Sequence, residues 1–447
     1  MTMMEENVRL GSHRMLWGPF CQKGHQFQSG KIKVFQQYQK DVFEAVHTYI
    51  EDDLGHYRVV PNRIIYFAAA RNLFDFLKDE QFLGNPETQT ANISPDHVEK
   101  RIQLIKKDKR TFNSLPAEVK DAIANENTLV YLDHSIEGWD NILFDRVCEI
   151  FSIPKERLVW VTSLYRTYNN PPFTEVKSMY TNFWEIHLQD FISRDENNKH
   201  MFEKQIQYSL DMKPRNKLCT SYMRRRRPAR MVMAMLLKQN DLLKDIYWSL
   251  GTLVDGNRDI GGILLQLDST VNTLIRKYPG LLEQDTIDWA YSIDKNITCD
   301  SNTLDTNLAS GFLTWEHILD TKFMLVNETI PRHLADDPQK HMPFLSEKVY
   351  KPFAAGQMFL VHGCAGTVAA IKEKGYSTFD NIINHSYDNE KCPMSRANMI
   401  ANEIVRLSQI DERTWLNHLK DIIPELKQNY EIFMNCEATI STIDQGW

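Results

Sequence analysis

The sequence predicts an α/β fold built from two domains. At 447 residues the chain is longer than one ordinary domain, and two domains of half that length would each bury a substantial core. Hydrophobic residues make up 42% of the chain and charged residues 25%, which is the balance of a globular protein. Short apolar runs alternate with amphipathic stretches, and this alternation is typical of strand–helix units around a sheet.

Six short runs rich in branched or aromatic residues predict strands. They are residues 63–68, 128–132, 158–162, 217–222, 322–326 and 358–362. Several of these runs are followed by polar or small residues. In an open parallel sheet, ligands bind beyond the carboxyl ends of the strands, so these positions are the first candidates for a site. For any single strand end, an ordinary turn explains the polar residues equally well.

The predicted domain boundary follows a section of helical character. Residues 178–216 become increasingly polar towards the end of that section. We therefore predict an N-terminal domain of residues 1–210 and a C-terminal domain of residues 211–447, with the C-terminal helix packing on the N-terminal domain. Residues 251–310 mix one glycine pair with an Asn-, Asp- and Thr-rich part, and their role is not predicted.

Charge and cysteine content exclude some classes of protein. The net charge of −7 argues against a protein that binds nucleic acid over its whole surface, although a local basic groove stays possible. The seven cysteines are scattered and never form a CxxC pair, so we expect reduced thiols rather than a disulfide framework or a zinc site. The first ten residues do not resemble a signal peptide, and no stretch approaches the roughly 18 apolar residues of a membrane span. The sequence therefore predicts a cytoplasmic protein.

Five arginines crowd a predicted turn between the strand at 217–222 and a helix at 231–239. The free N–H groups and the positive dipole end of a helix N-terminus attract phosphate, and the planar arginine fork meets two phosphate oxygens at once. The turn is therefore a candidate diphosphate site, and a solvated basic patch or a nucleic-acid contact is the alternative. The candidate phosphate ligands are Arg224, Arg225, Arg227 and Arg230.

A second candidate lies at the start of a predicted helix. Ser346 is a suitable N-cap, and Gly356 is a suitable end for that helix. Glu347 and Lys348 then occupy the first turn, where a carboxylate can accept hydrogen bonds from ribose or sugar hydroxyls and a lysine can neutralise a phosphate. An ordinary solvated ion pair is the alternative for these two residues.

Two further candidates come from strand ends. Asn327 and Glu328 follow the strand predicted at 322–326. Gly363 and Gly366 follow the strand predicted at 358–362, and glycine allows both a tight turn and the close approach of a ligand to the backbone. A Gly-x-x-Gly turn alone is weak evidence, but this one directly follows the helix that begins with the Glu-Lys pair.

Two segments of the chain resemble one family. Residues 344–379, FLSEKVYKPFAAGQMFLVHGCAGTVAAIKEKGYSTF, resemble the donor-binding segment of GT-B glycosyltransferases of bacteria and phages, and are similar to their α1,3-fucosyltransferase and exostosin-like groups. Residues 218–250 resemble a second piece found upstream in the same proteins, in which an arginine turn and a helix are followed by a short "WSL" strand. The order and spacing of the two pieces are more specific than either piece alone.

This resemblance implies a GT-B fold, in which two Rossmann-like domains face a cleft and the C-terminal domain holds a nucleotide-diphosphate sugar. Glu347 would contact ribose or sugar hydroxyls, while Lys348 and one or more of the four arginines would hold the diphosphate. Neutralising the diphosphate stabilises the charge that develops on the leaving group. The resemblance implies no cofactor besides the donor substrate and no metal, and the chain contains no Asp-x-Asp motif.

The acceptor would bind mainly to the N-terminal domain, where an inverting enzyme needs a general base. The candidates are Asp133, His134 and Glu137, which follow the strand predicted at 128–132. An ordinary capped loop is the alternative for these three residues.

Three hypotheses for function remain open. The acceptor is either a glycan or a modified, for example hydroxymethylated, DNA base of a phage, and both fit the cytoplasm of a bacterium or of a phage-infected host. The third is a catalytically degenerate GT-B fold that binds nucleic acid or protein. Basic runs at 100–110 and 224–230 are able to follow a phosphate backbone, whereas the net charge argues mildly against DNA.

Overall fold

The structure of the protein is a computed structural model. The structure describes residues 64–67, 129–134, 154–165, 177–223, 228–250, 279–293, 313–328, 343–437 and 440–442. The chain divides into two compact units, of which the first comprises residues 1–184 and 437–447 and the second comprises residues 185–436. Of the helices in the described part of the chain, none combines the length and the apolar character that crossing a membrane requires.

The first unit contains a five-stranded sheet in the order β1-β2-β3-β4-β9. Strands β1 to β4 are parallel, and β9 pairs with β4 in the antiparallel direction. The strands are β1 (Ile64–Phe67), β2 (Leu129–His134), β3 (Leu158–Thr162), β4 (Lys177–Thr181) and β9 (Ile440–Thr442).

The second unit is an α/β domain around a four-stranded parallel sheet in the order β6-β5-β7-β8. Its strands are β5 (Lys217–Met223), β6 (Ile246–Leu250), β7 (Thr321–Asn327) and β8 (Met358–His362). All five residues of β8 are buried, as are six of the seven in β7. Near-continuous apolar strands of this kind are typical of a parallel sheet that is covered on both faces.

Ten α-helices lie in the described residues. They are α1 (Phe183–Ser193), α2 (Glu196–Leu210), α3 (Pro228–Gln239), α4 (Gln284–Ser292), α5 (Trp315–Asp320), α6 (Glu347–Ala355), α7 (Thr367–Glu373), α8 (Pro393–Ser408), α9 (Glu412–Asp421) and α10 (Ile423–Met434). Within the second unit, α3 packs against α8 and α4, while α6 packs against α10.

All six strands predicted from the sequence are confirmed, with ends that differ by at most two residues. Strand β6 confirms the short strand that the family resemblance implies. The prediction of helical character from residue 178 onwards is wrong for residues 178–181, which belong to β4. Pairing with β3 on one side and β9 on the other selects the extended conformation of this short segment.

The helical section before residue 210 packs within the second unit. In α2, Phe202 stacks on Tyr430 with ring centroids 3.8 Å apart, and Gln205 donates a hydrogen bond to the carbonyl of Gly356. The second unit therefore begins at Glu185, ahead of the residue 210 boundary expected from the sequence. The last described helix, α10, lies in this unit, and it is β9 that pairs with the first sheet.

Candidate functional site

The carboxyl ends of β5, β7 and β8 are joined by a line of polar side chains. Asn327 and His362 are direct partners in the register of β7 and β8. The side-chain amide of Asn327 donates to the hydroxyl of Ser221 on β5 at 2.9 Å. Its amide oxygen, which can only accept, lies 3.3 Å from Nδ1 of His362, so this ring nitrogen carries the proton. The three buried side chains thus cross the sheet at the edge where ligands bind in parallel α/β folds.

His362 is held in its neutral form. Burial lowers the pKa of His362 to about 3, with further lowering by the positive charges of Arg396 and Arg230. Because Nδ1 donates to Asn327, Nε2 of the neutral ring is left as an acceptor.

The end of β7 is bonded directly to the start of α6. The backbone N–H of Glu328 donates to the carbonyl of His362 at 3.0 Å, which extends the pairing of β7 and β8 by one residue. The Glu328 carboxylate is 2% exposed and accepts from both the backbone N–H and the hydroxyl of Ser346. Ser346 is the N-cap of α6, as predicted, and its hydroxyl accepts from the N–H of Lys348. Gly356 ends the helix with a φ of 62°.

The first turn of α6 carries a cation between two carboxylates. The ammonium of Lys348 lies 2.8 Å from Oε1 of Glu347 and 3.8 Å from Oε1 of Glu328, and it donates to the Ser346 hydroxyl at 3.0 Å. Burial raises the pKa of Glu347, but the charge and hydrogen bond of Lys348, together with Lys351, bring it below its usual value. The Lys348 side chain is 30% exposed, so it forms the accessible part of this cluster.

Of the predicted arginine ligands, Arg230 is the one that the structure describes at this edge. It lies in the first turn of α3 and is 4% exposed. One terminal nitrogen of its guanidinium donates to the carbonyl of Asn327 at 3.2 Å. Arg224, Arg225 and Arg227 lie outside the described residues.

The predicted glycine turn between β8 and α7 is confirmed. Gly366 has a φ of 80°, a backbone conformation that residues other than glycine rarely adopt. A Cβ on Gly363 would lie 3.1 Å from the hydroxyl of Thr367, so the turn is also tightly packed. Asp388 fixes this turn, because its carboxylate accepts from the N–H groups of Val368 and Ala369.

The candidates for the general base belong to the first unit. Asp133 and His134 end β2, where they pair with Val161 and Thr162 of β3. They therefore stand at the carboxyl edge of the first sheet, and Glu137 lies outside the described residues.

Four residues of the site were not predicted from the sequence: Ser221, His362, Asp388 and Arg396. A signal for His362 was present, because it is the last residue of a buried strand. Arg396 had no comparable signal, since its contact with Gly363 bridges 33 residues. In the part of the chain that the structure describes, no group of three or more His, Cys, Asp or Glu side chains is placed to hold a metal ion.

The described residues define an α/β protein whose four-stranded parallel sheet carries a buried polar cluster at its carboxyl edge. The sequence matches no protein-family model, and comparison with curated proteins and with solved structures found no match. The family likeness therefore depends on the two segments 218–250 and 344–379 alone.

Proposed function

We propose that this protein is a glycosyltransferase that moves a sugar from a nucleotide-diphosphate sugar to an acceptor hydroxyl. The observation that carries the proposal is the meeting of Glu328, Ser346 and Lys348 at the carboxyl edge of a parallel sheet. Arg230, which is 97 residues from its partner Asn327 in the sequence, adds a buried cation at the same edge. Ligands bind at this edge in open parallel sheets, and these side chains match the hydroxyls and phosphates of a nucleotide sugar.

In the proposed reaction, the acceptor oxygen forms a bond to the anomeric carbon while the bond from that carbon to the diphosphate breaks. The acceptor proton passes to a general base, for which Asp133, His134 and Glu137 are the candidates. Lys348 and Arg230 neutralise the charge that grows on the departing nucleoside diphosphate. The carboxylates of Glu347 and Glu328 accept hydrogen bonds from donor hydroxyls. In this mechanism the side-chain cations fill the role that a metal ion has in other glycosyltransferases.

The acceptor in this proposal is a glycan or a modified DNA base, because either supplies the hydroxyl that the reaction needs. The protein-binding or nucleic-acid-binding module without activity is the competing account. That account predicts that the chain binds DNA or another protein and has no affinity for nucleoside diphosphates.

The first test is a thermal-shift screen of the purified chain with UDP, GDP, ADP and CMP. A ligand that binds the folded state alone raises the melting temperature. We expect one nucleotide to stabilise the wild type and to lose its effect with Lys348→Ala. The matched control is Lys372→Ala, because Lys372 forms a surface ion pair with Asp380 at 2.6 Å, within α7 and the loop after it.

The screen has two outcomes that oppose the proposal. If no nucleotide stabilises the wild type while the protein is retained on immobilised DNA, the binding-module account replaces the enzyme. If a nucleotide stabilises wild type and Lys348→Ala equally, the nucleotide binds away from the start of α6.

A further inference from the structure

Arg396 is a buried arginine whose hydrogen bonding is incomplete. It lies in the first turn of α8 and is 1% exposed. Nε donates to the carbonyl of Gly363 at 2.9 Å, and Nη1 donates to the carbonyls of Glu390 and Lys391 at 2.6 and 3.4 Å. Nη2 is buried and has no hydrogen-bond partner. One corner of the guanidinium is therefore unsatisfied beside the turn that follows β8.

No carboxylate of the described residues forms an ion pair with Arg396. Within the described residues no Asp or Glu oxygen lies within ion-pair distance of its guanidinium, and its protein acceptors are all backbone carbonyls. Asp388 directs its two oxygens to the N–H groups of α7, and the Glu390 carboxylate accepts from the N–H of Cys392. Asp388 and Glu390 act on the charge of Arg396 only from beyond ion-pair distance. Burying a cation without a directly paired carboxylate is unfavourable, so the site favours a bound anion.

A second buried guanidinium, that of Arg230, also lies near His362. Arg230 is bonded to the carbonyl of Asn327, the residue opposite His362 in the sheet, and Arg396 is bonded to the carbonyl of Gly363, the residue after it. Both cations are therefore bonded to backbone next to His362 in the sheet or in the chain. Their effect is visible in that ring, because burial, then Arg396 and then Arg230 lower the pKa of His362.

We propose that Arg396 and Arg230 form an anion subsite at the turn after β8, and that Nη2 of Arg396 donates to a phosphate oxygen bound there. This assignment rests on the proposed function for the identity of the phosphate as part of a nucleotide diphosphate. Lys348 is already shared by Glu347 and Glu328, so the diphosphate needs further positive charge. Arg396 supplies that charge and gains the missing partner for Nη2.

The test uses the whole chain and inorganic pyrophosphate as the probe. Sodium pyrophosphate is expected to raise the melting temperature of the wild type above that in sodium chloride of equal ionic strength. Isothermal titration calorimetry then gives the dissociation constant of pyrophosphate. Arg396→Gln is expected to weaken binding about tenfold or more, because a hydrogen bond to a charged group is lost.

Two further variants separate a ligand from a structural residue. Arg396→Lys keeps the charge and is expected to retain part of the affinity for pyrophosphate. Arg406→Gln removes an exposed arginine from the same helix, where Arg406 is bonded to the buried carboxylate of Glu403, and it should leave the affinity unchanged. A purely structural Arg396 would give Arg396→Lys and Arg396→Gln variants that bind pyrophosphate as the wild type does once folded.

Each outcome decides the proposal. If pyrophosphate does not raise the melting temperature of the wild type above that in sodium chloride, the subsite is refuted. This outcome does not depend on whether the variants fold. If Arg396→Gln binds a nucleoside diphosphate as tightly as the wild type, this inference fails and the proposed function stands. If pyrophosphate binds through Arg396 but no nucleotide binds, the subsite stands and the proposed function fails.

Discussion

The carboxylate of Glu328 accepts hydrogen bonds from both the backbone N–H and the hydroxyl of Ser346, at 3.0 Å and 2.6 Å. This pair joins the carboxyl end of β7 to the residue that caps α6. Because Lys348 lies in the first turn of that helix, the position of its ammonium follows from the Glu328–Ser346 contact. The accessible cation of the site is thus held by a buried carboxylate.

Substitutions of Ser346 test its contact with Glu328 through the free energy of unfolding. Ser346→Ala removes the helix cap and one donor to a buried carboxylate, so we expect the free energy of unfolding to fall by about 1–3 kcal/mol. Ser346→Thr keeps the hydroxyl and should lose less. Ser408→Ala is the matched control, because that hydroxyl donates to a carbonyl at the exposed end of α8. Urea denaturation measures all four proteins, and an equal loss for the two alanine variants would contradict the contact.

Alanine substitutions at two glycines should have similar effects on stability and different effects on nucleotide affinity. Gly366 and Gly375 both have a positive φ, of 80° and 88°, and a Cβ at either position has room. Alanine at each should therefore lower stability by a similar amount, roughly 1–2 kcal/mol. Nucleotide affinity should fall with Gly366→Ala alone, because Gly375 follows α7 at its far end. Thermal denaturation and calorimetry measure the two effects, and equal affinities would remove the turn from the site.

The neutral state of His362 predicts a pH dependence of stability. Its pKa is lowered from 6.5 to about 3 on folding, so the unfolded chain binds the extra proton between these values. The contribution of neutral His362 to the free energy of unfolding is therefore complete above pH 6.5 and is lost as the pH falls towards 3. The contribution of this one group approaches a slope of about 1.4 kcal/mol per pH unit within that window.

His362→Asn should flatten this dependence, since the asparagine amide can still donate to Asn327 and does not titrate. Urea denaturation between pH 4 and 7 measures the slope for the variant and the wild type. His200→Asn is the control, because His200 is exposed on α2 and its replacement should leave the slope unchanged. Equal slopes for His362→Asn and the wild type would show that His362 is not buried in its neutral form.

A buried ion pair tests the assignment of α1 to the second unit. Glu185 on α1 is 1% exposed, accepts from the hydroxyl of Tyr376 and lies 2.7 Å from the ammonium of Lys374. Lys374→Met would leave this carboxylate buried without its cation, and we expect a loss of roughly 3 kcal/mol. Lys372→Met, which removes a surface cation two residues away, should cost less than about 1 kcal/mol. Urea denaturation compares the two, and similar losses would contradict the pairing.

The sequence predicted those elements whose conformation is determined by residues that are close together in the chain. Apolar runs predicted β3 and β8 to the residue, and the Ser346 and Gly356 caps predicted the bounds of α6. Strand β4 was missed because its five residues adjoin a helical section and owe their conformation to neighbouring strands. Pairing of this kind depends on distant segments, which a local pattern does not reveal.

The same limit applied to the site. Ser346, Lys348 and Gly366 were predicted because capping and turn chemistry are local. The roles of Arg396 and Ser221 depend on contacts with Gly363 and Asn327, which are far away in the sequence. The GT-B arrangement and the donor stay predictions, because they were inferred from the resemblance of two segments.

The most direct test of the account is the release of nucleoside diphosphate from nucleotide sugars in the presence of an acceptor. Panels of glycans and of hydroxymethylated DNA serve as acceptors, and wild type, Lys348→Ala and Lys372→Ala are compared. The account predicts release by the wild type and Lys372→Ala, and a rate about a hundredfold lower for Lys348→Ala. Equal rates for Lys348→Ala and wild type, or no release with any donor and acceptor, would contradict it.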